Sequence, residues 1–517
     1  MGSDATTWKH KEPAEGGAGA DIDAENRGFK NLVGAGASLV PIAFVTLLVW
    51  AAVSVTQATS LGWLGGALLE STAVAAIAML LAIPVGLGAA LYVVVFARGT
   101  RARLASSTLD LLAVVPSIVW AVFARYVIAP PVANQPLGHS PLWTAGVILG
   151  FVVAPTFASS VRDWLVHTPR ELEESAVALG GSRWASFRLI LLPLVRRGLI
   201  GSMGTAFGRA LGEAIAVALV YIALGAVPAT LGGSLSTRHD LGGTSAIAAL
   251  LFLVSVVVQA SARTWARRPP APSPSADAGR FAGGAAAFSV ACMLAAVVSF
   301  VVLILWLLAS SSSGGASSLG PLGASLSLTF GAVLFGGPVG FAAAVYAVEF
   351  ERERSARVLR MSAELLSSTP PIVVGVFVAV LAQRFGVSSR AAATVALSIL
   401  LAPSVMRRSA RAFSRVSAAT REAAVALGAS RARTFTHVVF RGSKRYLLGA
   451  FLGAAARTLG STAPLVLLFD LEALPSTTFR AAILADPGVA ARHALVLLSA
   501  TCLLKVASLV AHPSEVA

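Results

Sequence analysis

The sequence has little charge and almost no cysteine. Only 12% of its 517 residues are Asp, Glu, Lys or Arg and its mean hydropathy is +0.79, which excludes an ordinary water-soluble domain. The two cysteines, Cys292 and Cys502, both fall in apolar runs, so neither a disulfide framework nor a metal site is indicated. The chain lacks a G-x-x-x-x-G-K-[ST] run for nucleotide phosphates and any spacing typical of a nucleophile and its base. We therefore expect no enzyme activity, no metal and no cofactor.

Apolar runs long enough to cross a bilayer, about 20 residues each, recur along the chain. We count twelve, with centres near residues 47, 82, 118, 152, 212, 252, 296, 336, 373, 398, 458 and 502. They predict an all-α membrane protein with about twelve transmembrane helices. The excess of 40 Lys and Arg over 24 Asp and Glu would suggest nucleic acid in a soluble protein, but here most basic residues fall on one side of the predicted spans. This positive-inside bias predicts two cytoplasmic termini and a lipid environment without nucleic acid.

The chain contains an internal duplication. "ESAVALGGSR" at 174–183 and "EAAVALGASR" at 422–431 share eight of ten residues, and "DLLAVVPSIVWAVF" at 110–123 matches "ELLSSTPPIVVGVF" at 364–377. Two halves of six spans each keep the same orientation because six is even, which predicts two parallel six-helix repeats. The predicted organisation is a disordered cytoplasmic tail (1–35), a first half (36–262), a cytoplasmic Pro/Ser/Ala-rich linker (263–283) and a second half (284–517).

The duplicated phrase lies in a basic cytoplasmic stretch with the pattern of a helix–turn–helix unit. Residues 173–179 are good helix formers, and Gly180 can end that helix through a left-handed turn. Ser182 then stands where the next helix would take its N-cap. One interpretation is a surface loop that only covers the helix bundle, and the other is a rigid unit to which a second protein docks. The presence of one copy in each half favours docking.

These residues resemble the membrane subunits of bacterial ATP-driven (ABC) importers, whose cytoplasmic loop reads E-A-A, three residues, Gly, nine residues, then I-x-L-P. Residues 174–193 match that spacing, and residues 422–441 match it except that Arg441 replaces the proline. The resemblance implies the type I permease fold of ABC importers and two copies of a separate ATP-binding subunit. The residues that it implies for coupling to the ATPase are Glu174, Ala176, Gly180, Glu422, Ala424 and Gly428.

Two arginines stand deep in matching spans. Arg209 and Arg457 each lie about 15 Å along a helix from its cytoplasmic end, near the middle of a ~30 Å hydrocarbon core. An arginine there costs at least ~2.5 kcal/mol, so both should face the bundle interior or a water-filled path. Glu213 lies one turn beyond Arg209 and can pair with it as a purely structural alternative, whereas Ser461 at the matching position carries no charge. Two guanidinium groups facing one axis suit a phosphate-like oxyanion.

These spans are similar to those of the two permease subunits of the phosphate-specific importer, through "RALGE" at 209–213, "ARTLGSTAPLVLL" at 456–468, "PSIV" at 116–119 and "PPIV" at 370–373. The resemblance implies both subunits fused in one chain in the plasma (inner) membrane of a bacterium. It also implies an extracytoplasmic phosphate-binding protein as partner and inorganic phosphate as substrate. The residues that it implies for the translocation path are Arg209, Glu213, Arg457 and Ser461.

Three other interpretations remain open from the sequence. The same machinery could carry another oxyanion, such as sulfate or phosphonate, because the arginines alone do not distinguish these. A secondary transporter built from parallel repeats is a second alternative, although it would need no paired docking loops. A transport-dead sensor that keeps the fold is the third, and Arg441 and Ser461 are the departures that favour it.

Overall fold

The structure is a computed structural model, and it describes residues 17–56, 62–133, 140–166, 168, 171, 174–175, 178, 180, 182–213, 215–226, 230, 241–266, 282–312, 317–350, 353–461, 463–466 and 471–511. In the first half the helices are α1 (Gly17–Thr56), α2 (Gly62–Leu91), α3 (Gly99–Leu112), α4 (Ser117–Phe123), α5 (Ala129–Ala133), α6 (Pro141–Val166), α7 (Arg183–Ser186), α8 (Leu192–Leu211), α9 (Ile215–Ala223) and α10 (Leu241–Ala266). In the second half they are α11 (Ala282–Ser311), α12 (Leu319–Glu349), α13 (Arg354–Ser367), α14 (Pro371–Phe385), α15 (Ser389–Ser414), α16 (Ala418–Ala426), α17 (Arg431–Arg433), α18 (Phe440–Leu459), α19 (Ala463–Val466), α20 (Leu474–Ile483) and α21 (Pro487–Ala511). Within these described ranges every regular element is helical, so the predicted all-α class is confirmed.

The number of membrane spans differs from the twelve expected. Among the described residues eight helices are long and apolar enough to cross a bilayer, and three further helix pairs, each bent by more than 40°, raise the count to eleven. The run predicted near residue 458 is not among them: α18 carries Arg441, Lys444 and Arg445 in its first turns and ends at Leu459. The polar start and the early end of α18 are the reason for the difference.

Two of the bends lie at the paired proline motifs. Pro116 and Pro370 are the N-cap residues of α4 and α14, both with extended backbone (ψ 138° and 130°). The peptide before a proline is driven out of the α region, so α3 and α13 have to end before these residues. The chain turns by 84° between α3 and α4 and by 96° between α13 and α14. The duplicated sequence therefore produces a duplicated sharp turn at the cytoplasmic side.

The two halves also share their internal packing. A Cβ at Gly86 on α2 would lie 3.0 Å from the carbonyl oxygen of Ala154 on α6. At the matching positions of the second half, Gly340 on α12 meets the carbonyl of Ala402 on α15 in the same way. Small residues of this kind let membrane helices approach closely. The repeat seen in the sequence is thus a repeat of helix contacts.

The first helix of each half packs against the other half: α1 contacts α12 and α13, and α11 contacts α2 and α3. This corrects the prediction of a disordered tail to residue 35, because α1 begins at Gly17. Residues 25–33 are ordered by partners in the second half, which the sequence pattern of the tail does not reveal. Residues 1–16 lie outside the described part of the chain, as do 267–281 of the expected linker.

Candidate functional site

Both deep arginines lie in the last turn of a helix that ends in mid-span. α8 ends at Leu211 two residues after Arg209, and the chain resumes as α9 at Ile215. α18 ends at Leu459 two residues after Arg457, and α19 begins at Ala463. A cation in the last helical turn is stabilised by the negative end of the helix dipole. The expected continuous spans at these positions are therefore interrupted in both halves, and the interruptions carry the candidate path residues.

At these breaks the two halves cross each other through glycine and proline. Gly212, next after α8, packs so closely on Pro370 of the other half that a Cβ there would overlap the proline ring. Gly460, next after α18, packs on Pro116, whose Cγ would lie 3.0 Å from a Cβ at residue 460. The contact is reciprocal, since each half supplies one helix-end glycine and one helix-start proline. Small side chains are therefore required at the point where the halves meet.

The arginines of the two breaks belong to one group of positive charge. Arg457 is exposed in the structure. The basic residues whose charges act on Arg457 are Arg209, Arg407, Arg408 and Arg411. We call these five residues the arginine cluster. Arg209 comes from the first half and the other four from the second, so positive charge from both halves acts on Arg457.

Glu213 and Ser461 lie beyond the helix ends rather than on the same helical face as their arginines. Glu213 is placed to accept hydrogen bonds from the Ser117 hydroxyl and from the Ala216 amide, and it attracts Arg209 electrostatically. Ser461 donates to the carbonyl oxygen of Arg457 at 3.3 Å and so ties off the end of α18. The pairing of Glu213 with Arg209 suggested by the sequence stays possible, but it spans the end of α8 at Leu211 and not one helical turn. Beside the first break is a narrow crevice with no room for a water molecule, lined by Ser71, Val74, Ala210, Leu211, Glu213, Val217 and Thr230.

Acidic residues balance part of this charge. Asp110 bonds Arg162 at 3.1 Å and lies 3.7 Å from Lys505 of the second half. Asp163 bonds Arg162 at 2.9 Å and, across the halves, Arg411 at 3.0 Å. These ion pairs give Asp110 and Asp163 a structural role. They also join α3 and α6 of the first half to α15 and α21 of the second.

The first docking loop (residues 174–193) has the turn expected from its sequence. Gly180 has a φ of +86°, which is the left-handed conformation predicted for it. Ser182 caps α7 by accepting a hydrogen bond from the Ala185 amide at 3.1 Å. Glu174 is exposed, and Ala176 lies outside the described residues. The loop continues through a π-helical turn, Phe187–Leu191, into α8.

The second docking loop (residues 422–441) repeats this geometry. Gly428 has a φ of +84°, the Ala429 amide donates to the Ala424 carbonyl at 3.1 Å, and the Gly428 amide donates to Val425 at 2.9 Å. These two bonds complete a Schellman motif at the end of α16. Ser430 caps α17 through the Arg433 amide at 3.1 Å, and a π-helical turn, Thr434–Val439, leads into α18. The helix continues through Arg441, so the missing proline does not alter the unit.

The tip of the second docking loop is an exposed surface. No residue of α16 is buried, Glu422 is exposed, and Leu427 next to the turn leaves 88% of its side chain accessible.

The comparison with protein families decides the class of the chain. The family model for the inner membrane component of binding-protein-dependent transport systems matches it twice, at residues 82–269 and 336–512. The chain belongs to this family. Each match covers one set of bends, one docking loop and one arginine-bearing break, so the duplicated site is a duplication of the family's unit.

The chain is similar to known phosphate transport permeases. The chain is 35% identical to the phosphate transport system permease protein PstC of Xylella fastidiosa over 167 residues, which are 28% of this chain and 52% of that protein. It is 34% identical to PstC 1 of Mycobacterium tuberculosis over 187 residues, 32% of this chain and 55% of that protein. The chain spans about half the length of the curated relatives that it matches. No solved structure matches it.

Sequence reasoning missed two parts of the site in this inner membrane component. It missed Arg407, Arg408 and Arg411, which the positive-inside bias explains as ordinary residues of a cytoplasmic helix end. It also missed that the two spans stop at the arginines. A signal for the stop was present, because in each break a glycine follows three residues after the arginine.

Proposed function

We propose that this chain is the permease of an ATP-driven importer of inorganic phosphate. In this proposal the Arg209 and Arg457 breaks form the translocation path, and the two docking loops engage two copies of a separate ATPase. An extracytoplasmic phosphate-binding protein delivers the anion. The observation that carries the proposal is the pair of helix breaks, each with an arginine in the last helical turn and each followed by a glycine that packs on a proline of the other half. The phosphate permeases among its relatives support the choice of substrate.

The arginine cluster supplies what an anion needs in a low-dielectric path. Moving a phosphate dianion out of water is prohibitively unfavourable unless fixed positive charge and hydrogen-bond donors replace its hydration. A guanidinium group offers a planar fork of donors that fits two oxyanion oxygens at once. Arg457 is exposed, so in this proposal it can bind such an anion. Arg209 stands near Glu213, whose negative charge reduces the attraction at the first break.

The glycine–proline crossings act as the gate of this path in our proposal. Gly212 against Pro370 and Gly460 against Pro116 leave no side-chain volume between the halves at the breaks. An anion can pass only if the halves separate there. Pro116 and Pro370 start the helices that follow the cytoplasmic bends, so a displacement of α3 or α13 would move the gate directly.

The docking loops connect the gate to the ATPase. α7 and α17 lead through their π-helical turns into α8 and α18, the two helices that end at the arginines. In this proposal a movement of a docking loop is carried along the chain to the break about 20 residues further on. In the first half this path includes a 62° bend between Arg196 and Gly198.

Uptake of radiolabelled phosphate tests the proposal. The chain would be reconstituted in vesicles with the ATPase and the phosphate-binding protein of the same organism. Arg209→Gln with Arg457→Gln should reduce uptake about 10- to 100-fold, because a charge-assisted hydrogen bond contributes roughly 1.5–3 kcal/mol. Unlabelled phosphate should compete with the label, whereas sulfate should not.

Arg384→Gln provides the matched control. Arg384 also lies in the last turn of a helix, α14. That turn is predicted to face the external side, and Arg384 is not part of the arginine cluster. Its loss should leave uptake within about twofold of the unmodified chain. Unchanged uptake in the double variant would refute an arginine-lined path, and equal competition by sulfate would refute phosphate specificity.

A further inference from the structure

The second docking loop is held by the start of α1, a helix of the other half. The Asn26 side-chain oxygen accepts a hydrogen bond from the backbone amide of Arg431 at 2.8 Å, at the first residue of α17. Glu25 forms an ion pair with Arg433 at 3.3 Å. Both contacts fall on the three-residue helix that directly follows the Gly428 turn. We call residues 25–30 of α1 the N-terminal contact segment.

The same segment packs on the aromatic residues beneath the loop. The ring of Phe29 lies 5.7 Å from that of Phe435 and 6.4 Å from that of Phe350. Phe435 stands in the π-helical turn that joins α17 to α18, and its ring is also in contact with Phe413 of α15 at 5.2 Å. Rings at these separations stabilise each other by about 0.5–1.5 kcal/mol beyond their buried area. Phe29 and Phe413 thus both pack on Phe435 of the π-helical turn.

An ion pair ties the segment to the cytoplasmic bend. Lys30 bonds Glu353, the N-cap residue of α13, at 2.8 Å. The hydrogen bond from Lys30 lowers the pKa of Glu353 below its ordinary value, so the carboxylate is charged at neutral pH. Tyr346 donates to the same carboxylate at 3.0 Å. The contact segment therefore contacts both the docking loop and the start of α13, the two elements of the second half that move in the proposed function.

The first docking loop has a different support. Arg183 of α7 donates to the carbonyl oxygen of Val95 at 3.1 Å, a residue of the same half. The matching arginine of the second loop, Arg431, instead lies over the ring of Phe350 at 5.7 Å and gives its backbone amide to Asn26. The second loop is thus supported across the halves, and the first loop has a support within its own half.

We infer that Asn26 and Lys30 are positioning residues for the second docking loop, and that they couple its movement to the first half. This inference rests on the proposed function, because it assigns a role to a loop proposed to bind the ATPase. α1 runs from the contact segment through the membrane to Thr56 as one helix. A displacement of α17 by the ATPase is passed to α1 and, through the packing of α1 on α10, to the first half. One docking event then acts on both sides of the path.

Hydrogen exchange of the purified chain in lipid nanodiscs tests the positioning role without any partner. Asn26→Ala and Lys30→Glu should each accelerate amide exchange in residues 431–439 about tenfold, the equivalent of about 1.4 kcal/mol of lost support. Peptides from residues 182–191 of the first docking loop provide an internal control and should exchange at the unmodified rate. Unchanged exchange in 431–439, or an equal acceleration in both loops, would overturn the inference.

A charge exchange separates a specific contact from general damage to the fold. Lys30→Glu combined with Glu353→Lys restores an ion pair of reversed sign between the same positions and should bring exchange in 431–439 back to within about threefold of the unmodified chain. Failure of the double variant to recover would contradict a role for the Lys30–Glu353 pair. Asn26→Asp keeps the acceptor for the Arg431 amide and should behave like the unmodified chain.

The second arm measures coupling with the ATPase present. Lys30→Glu should lower phosphate uptake per ATP hydrolysed about tenfold, and the charge-exchanged double variant should recover it. If the unmodified chain neither binds the ATPase nor imports phosphate, the proposed function fails, while the exchange experiment still decides the positioning role. If coupling is normal in a variant with accelerated exchange, the transmission part of the inference is overturned.

Discussion

A single glycine determines the turn in each docking loop, the surface that we propose for the ATPase, and its replacement gives a specific prediction. Gly428 has a φ of +84° and Gly180 a φ of +86°. At neither position does any atom lie within 4 Å of an added Cβ. Gly428→Val therefore introduces no steric overlap with neighbours, and its effect on the loop comes from the backbone conformation alone.

The magnitude follows from that conformation. An L-residue in the left-handed region is less stable by about 1–2 kcal/mol, and a β-branched residue suffers more than alanine. The Schellman bonds, Ala429 to Ala424 and Gly428 to Val425, cannot form unless residue 428 adopts this φ. The population of the native turn should thus fall about 5- to 30-fold relative to its open forms. Asparagine visits the left-handed region readily, so Gly428→Asn should retain most of the native turn.

The assay is ATPase stimulation by vesicles containing the reconstituted chain and its ATPase. Gly428→Val should lower the apparent affinity for the ATPase about 5- to 30-fold, whereas Gly428→Asn should change it little. Gly180→Val should have an effect of the same size, because the two turns share their geometry. Gly201→Val is the control, since its site on α8 also has open space and an ordinary φ. Equal, unmodified stimulation by Gly428→Val and Gly428→Asn would refute this account of the turn.

Three other substitutions probe the gate, the contact between halves and the loop cap. Gly212→Ala should reduce phosphate uptake more than Gly460→Ala, because only at residue 212 does an added Cβ overlap the facing proline. Such overpacking destabilises a protein by about 1–3 kcal/mol. Equal uptake by the two variants would contradict this expectation. Arg411→Asp should lower the thermal midpoint of the purified chain more than Arg411→Gln, since it faces Asp163 with a like charge. Equal midpoints would show that the pair contributes nothing. Ser430→Ala removes the cap of α17 and should accelerate exchange at residues 431–433 by the equivalent of ~1 kcal/mol, whereas an unchanged rate would show that the cap is dispensable.

Local signals in the sequence were sufficient for the docking loops. Gly180, Ser182 and Gly428 act through their own backbone conformations and nearest amides, so their pattern predicts the turn and the cap without knowledge of the fold. The duplication was equally readable, because the proline motifs determine where α4 and α14 begin. The roles of these loops in coupling stay predictions.

Features that depend on distant partners were not readable. The breaks after Arg209 and Arg457 lie inside apolar runs, and hydropathy averaged over a span hides a three-residue interruption. The contact segment 25–30 has the composition of a polar tail. Its helix is stabilised by contacts with Glu353 and Arg431, which lie more than 320 residues further along the chain. Tertiary contacts override local pattern in both cases.

Sequence divergence between the two halves permits charges that identical halves could not carry. Positions 163 and 411 correspond in the repeat, 248 residues apart, and they face each other as Asp163 and Arg411 at 3.0 Å. Two identical halves would place like charges there. Other matching positions of the repeat also differ in charge: Glu213 corresponds to Ser461, and Arg407 and Arg408 correspond to serines at positions 159 and 160. The second half therefore supplies four of the five residues of the arginine cluster, and the first half supplies Asp110 and Asp163, which pair with basic residues of both halves. In the proposed path an anion would thus be attracted mainly by the second half, while acids of the first half would limit how tightly it is held.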